Sequence, residues 1–158
     1  MVSAPLPAQR LVNGSKTRLR LWIRLLRVSR MIEGVARERL KSQFNATLPR
    51  FDVMAALHRK PDGMLMSEIS RFLMVSNGNV TGIVDRLVSE GFVARAQRNG
   101  DRRTSFISLT RKGHAVFAEM AAAHERWVDE LLGGVSVRDA EQLSAKLKSF
   151  SSDWEGEA

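Results

Sequence analysis

The chain has 158 residues, 44% of them hydrophobic, no cysteine, and a formal net charge of +8. That length suits one domain with an assembly element, and the missing cysteine excludes disulfides, thiolate metal sites and thiol redox sensing. No apolar run reaches the ~18 residues of a membrane span, and the proline-bearing stretch Met1 to Gln9 fits no secretory signal, so a soluble cytoplasmic protein without membrane contact is expected.

Residues 1–16 contain Pro5, Pro7 and Asn13-Gly14-Ser15 and predict a flexible arm. A long dimerisation helix is expected over 17–46. Its stripes, Leu19, Trp22, Ile23 and Leu26 beside Leu21, Leu25, Val28 and Ile32, make it apolar on two sides. Such a helix packs against more than its own domain. A second helix starts near Leu48-Pro49 and buries Phe51, Met54 and Leu57; Pro61-Asp62-Gly63 stops it. Met64-Leu65-Met66 reads as a short strand. Ser67 to Leu73 reads as a third helix with Ile69, Phe72 and Leu73 apolar, and Ser67 is expected to cap it.

The stretch from Val75 to Gly91 reads as a helix with Ser76 at its N-cap. Val80, Ile83, Val84 and Leu87 share one face, and Gly78 and Gly82 lie nearly opposite, beside Asn79, Thr81, Asp85 and Arg86. A glycine costs a helix interior roughly 1 kcal/mol against alanine. Two on one exposed face imply that another surface comes very close. Polar neighbours make nucleic acid the natural candidate.

After Gly91 the pattern alternates. Phe92 to Arg98 and Asp101 to Thr110 read as two strands joined by Asn99-Gly100, a strong hairpin signal. Between Arg95 and Lys112 there are six basic residues and one acid, Asp101, so the positive charge has an address and a polyanionic partner becomes specific. Thr110 caps a further helix striped by Phe117, Met120, His124, Trp127 and Leu131. Gly133-Gly134 ends it, Ser136-x-x-Asp139 resembles a capping box, and the last helix aligns Leu143, Leu147, Phe150 and Trp154. Three helices and a basic hairpin make a winged helix-turn-helix over 47–109. The apolar stripes of 17–46 and 110–154 imply a homodimer, and residues 155–158 form an acidic tail.

The motif Asp101-Arg102-Arg103-Thr104-Ser105-Phe106-Ile107-Ser108-Leu109-Thr110, with Val80-Thr81-x-x-Val84-Asp85-Arg86-Leu87 before it, resembles the MarR family of bacterial transcriptional regulators. The resemblance runs from about Arg18 to Trp154. It implies a mainly α fold with a small β-hairpin wing (α+β). It also implies a homodimer on pseudo-palindromic operator DNA, acting as a repressor released by a small ligand. Carried over residue by residue, Arg103 is the wing contact, Asp101 holds the wing arginines, and Arg86 clamps a phosphate. Ser76, Asn77, Asn79, Thr81, Arg98 and Arg102 complete the expected DNA-binding set. Where the family has a glycine in the turn before the recognition helix, this chain has Met74.

The stretch Thr17 to Trp22 with Leu48 to Asp52 is similar to regulators sensing aryl-CoA thioesters, which makes an aromatic acid or its CoA ester the expected effector. Trp22, Arg50, His58 and His124 are the candidate ligand-binding residues. His58, His114 and His124 lack ligand spacing, so no metal is expected. No nucleophile motif, phosphate-binding glycine loop or carboxylate pair beside a histidine suggests catalysis, and no cofactor is expected. The alternatives are a winged helix used only for protein contact and a DNA-binding regulator without ligand.

Overall fold

The computed structural model describes residues 7–97 and 105–155, with side chains described at 14–76, 78–96 and 106–150. The element order is α1 (Pro7–Phe44), α2 (Leu48–His58), β1 (Met64–Leu65), α3 (Met66–Leu73), α4 (Asn77–Ser89), β2 (Val93–Gln97), β3 (Ser105–Leu109), α5 (Arg111–Leu132) and α6 (Val137–Glu155). By compactness the chain divides into residues 1–122 and 123–158, α5 running through both. The first three turns of α5 therefore belong with the winged lobe. Two things hold them there. The Phe117 ring lies 5.5 Å from Phe51 and 4.9 Å from His58, and Gly113 abuts the Phe92 backbone.

The helix α1 starts at Pro7, ten residues before the expected start at Thr17. Proline is tolerated in a first turn because its missing N–H has no helical partner there, and Gly14 weakens the helix without breaking it. It ends at Asn45, whose φ of 51° is a left-handed conformation that asparagine tolerates. Thr47 caps α2, its hydroxyl accepting the Arg50 N–H. The cap of α3 differs from expectation: Glu68 accepts the Leu65 N–H at 2.7 Å, while Ser67 lies inside the helix.

Three helices and a small sheet enclose the lobe's core. Val53, Met54 and Leu57 of α2, Ile69 of α3, Val80, Val84 and Leu87 of α4 and Ile107 of β3 are all essentially inaccessible to solvent. Burying each such side chain stabilises the fold by about 1.5–3 kcal/mol. Phe72 departs from the expected core: it is half exposed, with the Arg59 guanidinium 5.6 Å from its ring centre. The sheet is antiparallel in the order β1-β3-β2, with Met64 opposite Ile107 and Val93 opposite Leu109. Placing β3 in the middle ties the base of the hairpin to the N-terminus of α3.

Between α3 and α4, Met74 takes φ 53° and ψ 38°. It thus performs the left-handed turn that the family assigns to glycine. An L-residue pays about 1–2 kcal/mol there, and the Met74 side chain is 93% exposed, so packing returns little. Met74→Gly should therefore raise stability by about 1 kcal/mol, or roughly 2–4 °C in thermal melts. An unchanged or lower melting temperature would mean that the turn is not strained.

In residues 123–158, Ala123 and Trp127 are buried, whereas Leu143, Leu147 and Phe150 of α6 are each at least half exposed. The Ser136 hydroxyl caps α6 by accepting the Asp139 N–H at 3.1 Å, and it donates to the Asp139 carboxylate at 2.7 Å. In a reciprocal capping box the carboxylate would accept the N-cap backbone N–H; here it accepts a hydrogen bond from the hydroxyl. Leu19, Leu21, Trp22 and Met31 of α1 are exposed as well. Trp154 falls outside the described side chains.

Candidate nucleic-acid interface

Helix α4 owes its place to its back. Val80, Val84 and Leu87 are buried, and Ile83 is partly so. On the opposite side a Cβ built at Gly78 or Gly82 meets nothing within 4 Å. Asn79, Thr81, Asp85 and Arg86 are exposed around these glycines. Ser76 occupies the N-cap position with an extended backbone, yet its hydroxyl makes no capping bond. The first-turn N–H groups and this hydroxyl are what an anion can use at a helix start. The Asn77 side chain lies outside the described ones.

Behind the outer face, charged groups connect α4 to its neighbours. Arg95 of β2 pairs with Asp85, which fixes the hairpin's first strand to the helix. Arg86 Nε donates to Glu90 Oε1 at 3.0 Å, and the other Glu90 oxygen takes a hydrogen bond from Arg50 of α2. Burial, then the nearby Arg86 charge, lowers the Arg50 pKa from its ordinary value. Lys112 donates to the Glu90 carbonyl at 3.0 Å and stands over the Phe92 ring. The Arg50–Glu90 bond was not visible in the sequence, since the partners lie forty residues apart, whereas Arg86 and Glu90 stand at the i, i+4 spacing of a helical pair.

Arg98, Asp101, Arg102 and Arg103 lie outside the described residues. Strands β2 and β3 run to Gln97 and from Ser105, which face each other in register.

Of the four candidate ligand residues, Trp22, Arg50 and His58 lie in residues 1–122 and His124 in residues 123–158. Trp22 is exposed on α1. Arg50 is engaged by Glu90, two turns before His58 on the same helix. His58 packs on Phe117 and meets the His114 ring edge to face at 5.6 Å. His124, whose pKa burial lowers, lies against Trp127 in the C-terminal unit. The winged unit also has an open groove of about 730 Å³ where the end of α1, α2, α3 and α4 converge. Arg37 and Lys41 line one side, Asp52 another, and Val75, Asn79 and Ile83 contribute from the reading head. Burial, and then the Glu33 charge, raises the Asp52 pKa. Among the described residues no three metal-ligating side chains converge.

The family model described as the MarR family matches residues 46–105. The transcriptional activatory protein BadR of Rhodopseudomonas palustris is 30% identical over 123 residues, covering 76% of this chain and 70% of that protein. A crystal structure of a MarR family transcriptional regulator from Silicibacter pomeroyi superposes with a TM-score of 0.73 at 34% identity. It covers 89% of this chain and 97% of that one. A MarR mutant from E. coli complexed with operator DNA has the same fold, with a TM-score of 0.73 at 24% identity over 85% of this chain and 95% of that one.

Proposed function

Because this chain belongs to the MarR family of transcriptional regulators, we propose that it acts as a cytoplasmic homodimer on pseudo-palindromic operator DNA and is released by a small effector. The observation that carries the DNA contact is the front of α4. Two glycines with open space before them let a duplex approach the helix axis, while three buried residues behind hold the helix still. The major groove is wide enough to admit such a helix. Ser76, Asn77, Asn79 and Thr81 then meet base edges or phosphates, and Arg86 takes a phosphate. Arg98, Arg102 and Arg103 reach the backbone or the adjacent minor groove from the wing, steadied by Asp101.

Dimerisation is supported by the uncovered apolar side chains of α1 and α6, which a monomer leaves in water. A two-fold pair of lobes matches half-sites one helical turn apart. The effector reading rests on the groove. Asn79 lines it and also stands beside the DNA face, so a bound molecule would bias the reading helix directly. Its basic side favours a carboxylate or phosphate, as an aromatic acid or its CoA thioester carries. Whether release means repression depends on where the operator lies, and BadR carries a name of the opposite sign.

The test is fluorescence anisotropy on duplexes from upstream of the gene and its neighbours. Affinity should fall steeply with salt, the slope counting the neutralised phosphates. No binding at low salt would overturn the DNA reading in favour of protein contact alone. Titrating free aromatic acids beside their CoA esters into the bound complex separates the two effector classes. Release by neither would leave a regulator without ligand.

A further inference from the structure

Glu90 stands at the last turn of α4 with its two carboxylate oxygens engaged by two arginines from different helices. Oε1 accepts from Arg86 Nε at 3.0 Å and Oε2 from the Arg50 guanidinium. The exposures are graded along this line: the Arg50 side chain is 16% accessible, Glu90 26% and Arg86 69%. Among the described residues, Arg50 Nε is buried without a hydrogen-bond partner.

We propose that Glu90, anchored by Arg50, is a positioning residue for DNA binding: it holds Arg86 by Nε so that its terminal guanidinium nitrogens are preset for a backbone phosphate. This rests on the reading of Arg86 as a phosphate contact. An unrestrained arginine loses much rotamer freedom when it binds, and a partner that fixes it beforehand removes part of that cost. Glu90 can act as the fixing group because its second oxygen is tied to the body of the lobe. The line from α2 through Arg50 and Glu90 to Arg86 thereby transmits the placement of α2 to the DNA-facing side chain.

The sign of the effect makes the test sharp. Glu90 is an acid near a polyanion, so by charge alone its removal should tighten DNA binding. Positioning demands the reverse. Affinities are measured by anisotropy on a labelled duplex of about 30 base pairs from upstream of the gene, long enough for two half-sites. Circular dichroism confirms folding of each variant. Arg86→Ala should bind about tenfold more weakly, the loss of roughly one charged hydrogen bond. Glu90→Gln should also bind several-fold more weakly and flatten the salt dependence, but it should have no weakening effect when Arg86 is already alanine. Glu90→Asp, which keeps the charge and loses the reach, should resemble Glu90→Gln.

Glu90→Gln binding as tightly as wild type or tighter, with Arg86→Ala still impaired, would overturn the positioning role alone. Arg86→Ala with unchanged affinity would instead remove the phosphate reading, and the proposal with it. Should Glu90→Gln fail to fold, Glu90→Asp decides by the same comparison, because a field effect predicts no change for it.

Discussion

Gly82→Leu should give a folded protein that has lost at least about 100-fold in operator affinity, the equivalent of one or two base contacts in each half-site. The side chain has room in the free protein, since nothing lies within 4 Å of the position a Cβ would occupy. Leucine is also the better helix former, so stability should rise by up to about 1 kcal/mol. Only a second surface laid against the helix can turn this local gain into a loss. Anisotropy and a thermal melt on the same preparation read both quantities. Unchanged affinity in a folded Gly82→Leu protein would mean that DNA meets another face.

Gly113→Ala should behave in the opposite way, destabilising the protein by about 3 kcal/mol, as severe overpacking does, and lowering the melting temperature by roughly 10 °C. A methyl group at this position would collide with the Phe92 carbonyl oxygen. That oxygen accepts the Thr110 N–H at 3.0 Å, and the Thr110 hydroxyl donates to the Gly91 carbonyl at 2.7 Å while accepting the Gly113 N–H at 3.0 Å. The start of α5 is thus laid directly on the start of β2, where Gly91 makes a left-handed turn with φ 76°. Backbone cannot retreat as a flexible side chain does, so the collision must open the contact between α5 and the wing base. A melting temperature within 2 °C of wild type, against the drop expected above, would refute the close packing.

The two glycines also mark what a sequence can reveal. Gly82 announced itself because it interrupts a regular helical pattern on a face with polar neighbours. Gly113 followed a threonine cap and looked like any glycine of a first turn; its meaning comes from Phe92, twenty-one residues earlier. Periodicity located the elements and named Val80, Val84 and Leu87 as the buried face of α4. It misjudged Phe72, which an apolar spacing put inside and which an arginine covers outside. It also ended the N-terminal arm at residue 16, because Pro7 and Asn13-Gly14-Ser15 read as breakers, although each is tolerable within a long helix. Chemistry and neighbouring motifs single out Trp22, Arg50, His58 and His124 but say nothing about which residues converge in space. The groove in residues 1–122 is lined in part by Ile83 and Val75, whose side chains carry no chemical signature.

Helix α4 keeps its obligations to the fold on one side and its obligations to the target on the other. The buried valines and leucine would tolerate little change, whereas a side chain at Gly78 or Gly82 would meet nothing within 4 Å, and Asn79 and Thr81 are exposed beside them. A lineage of such regulators can therefore drift from one operator to another through substitutions that cost almost no stability. The constraint on that drift is Asn79, which also lines the groove; if the groove takes the proposed effector, a new target and a new effector are not acquired wholly independently.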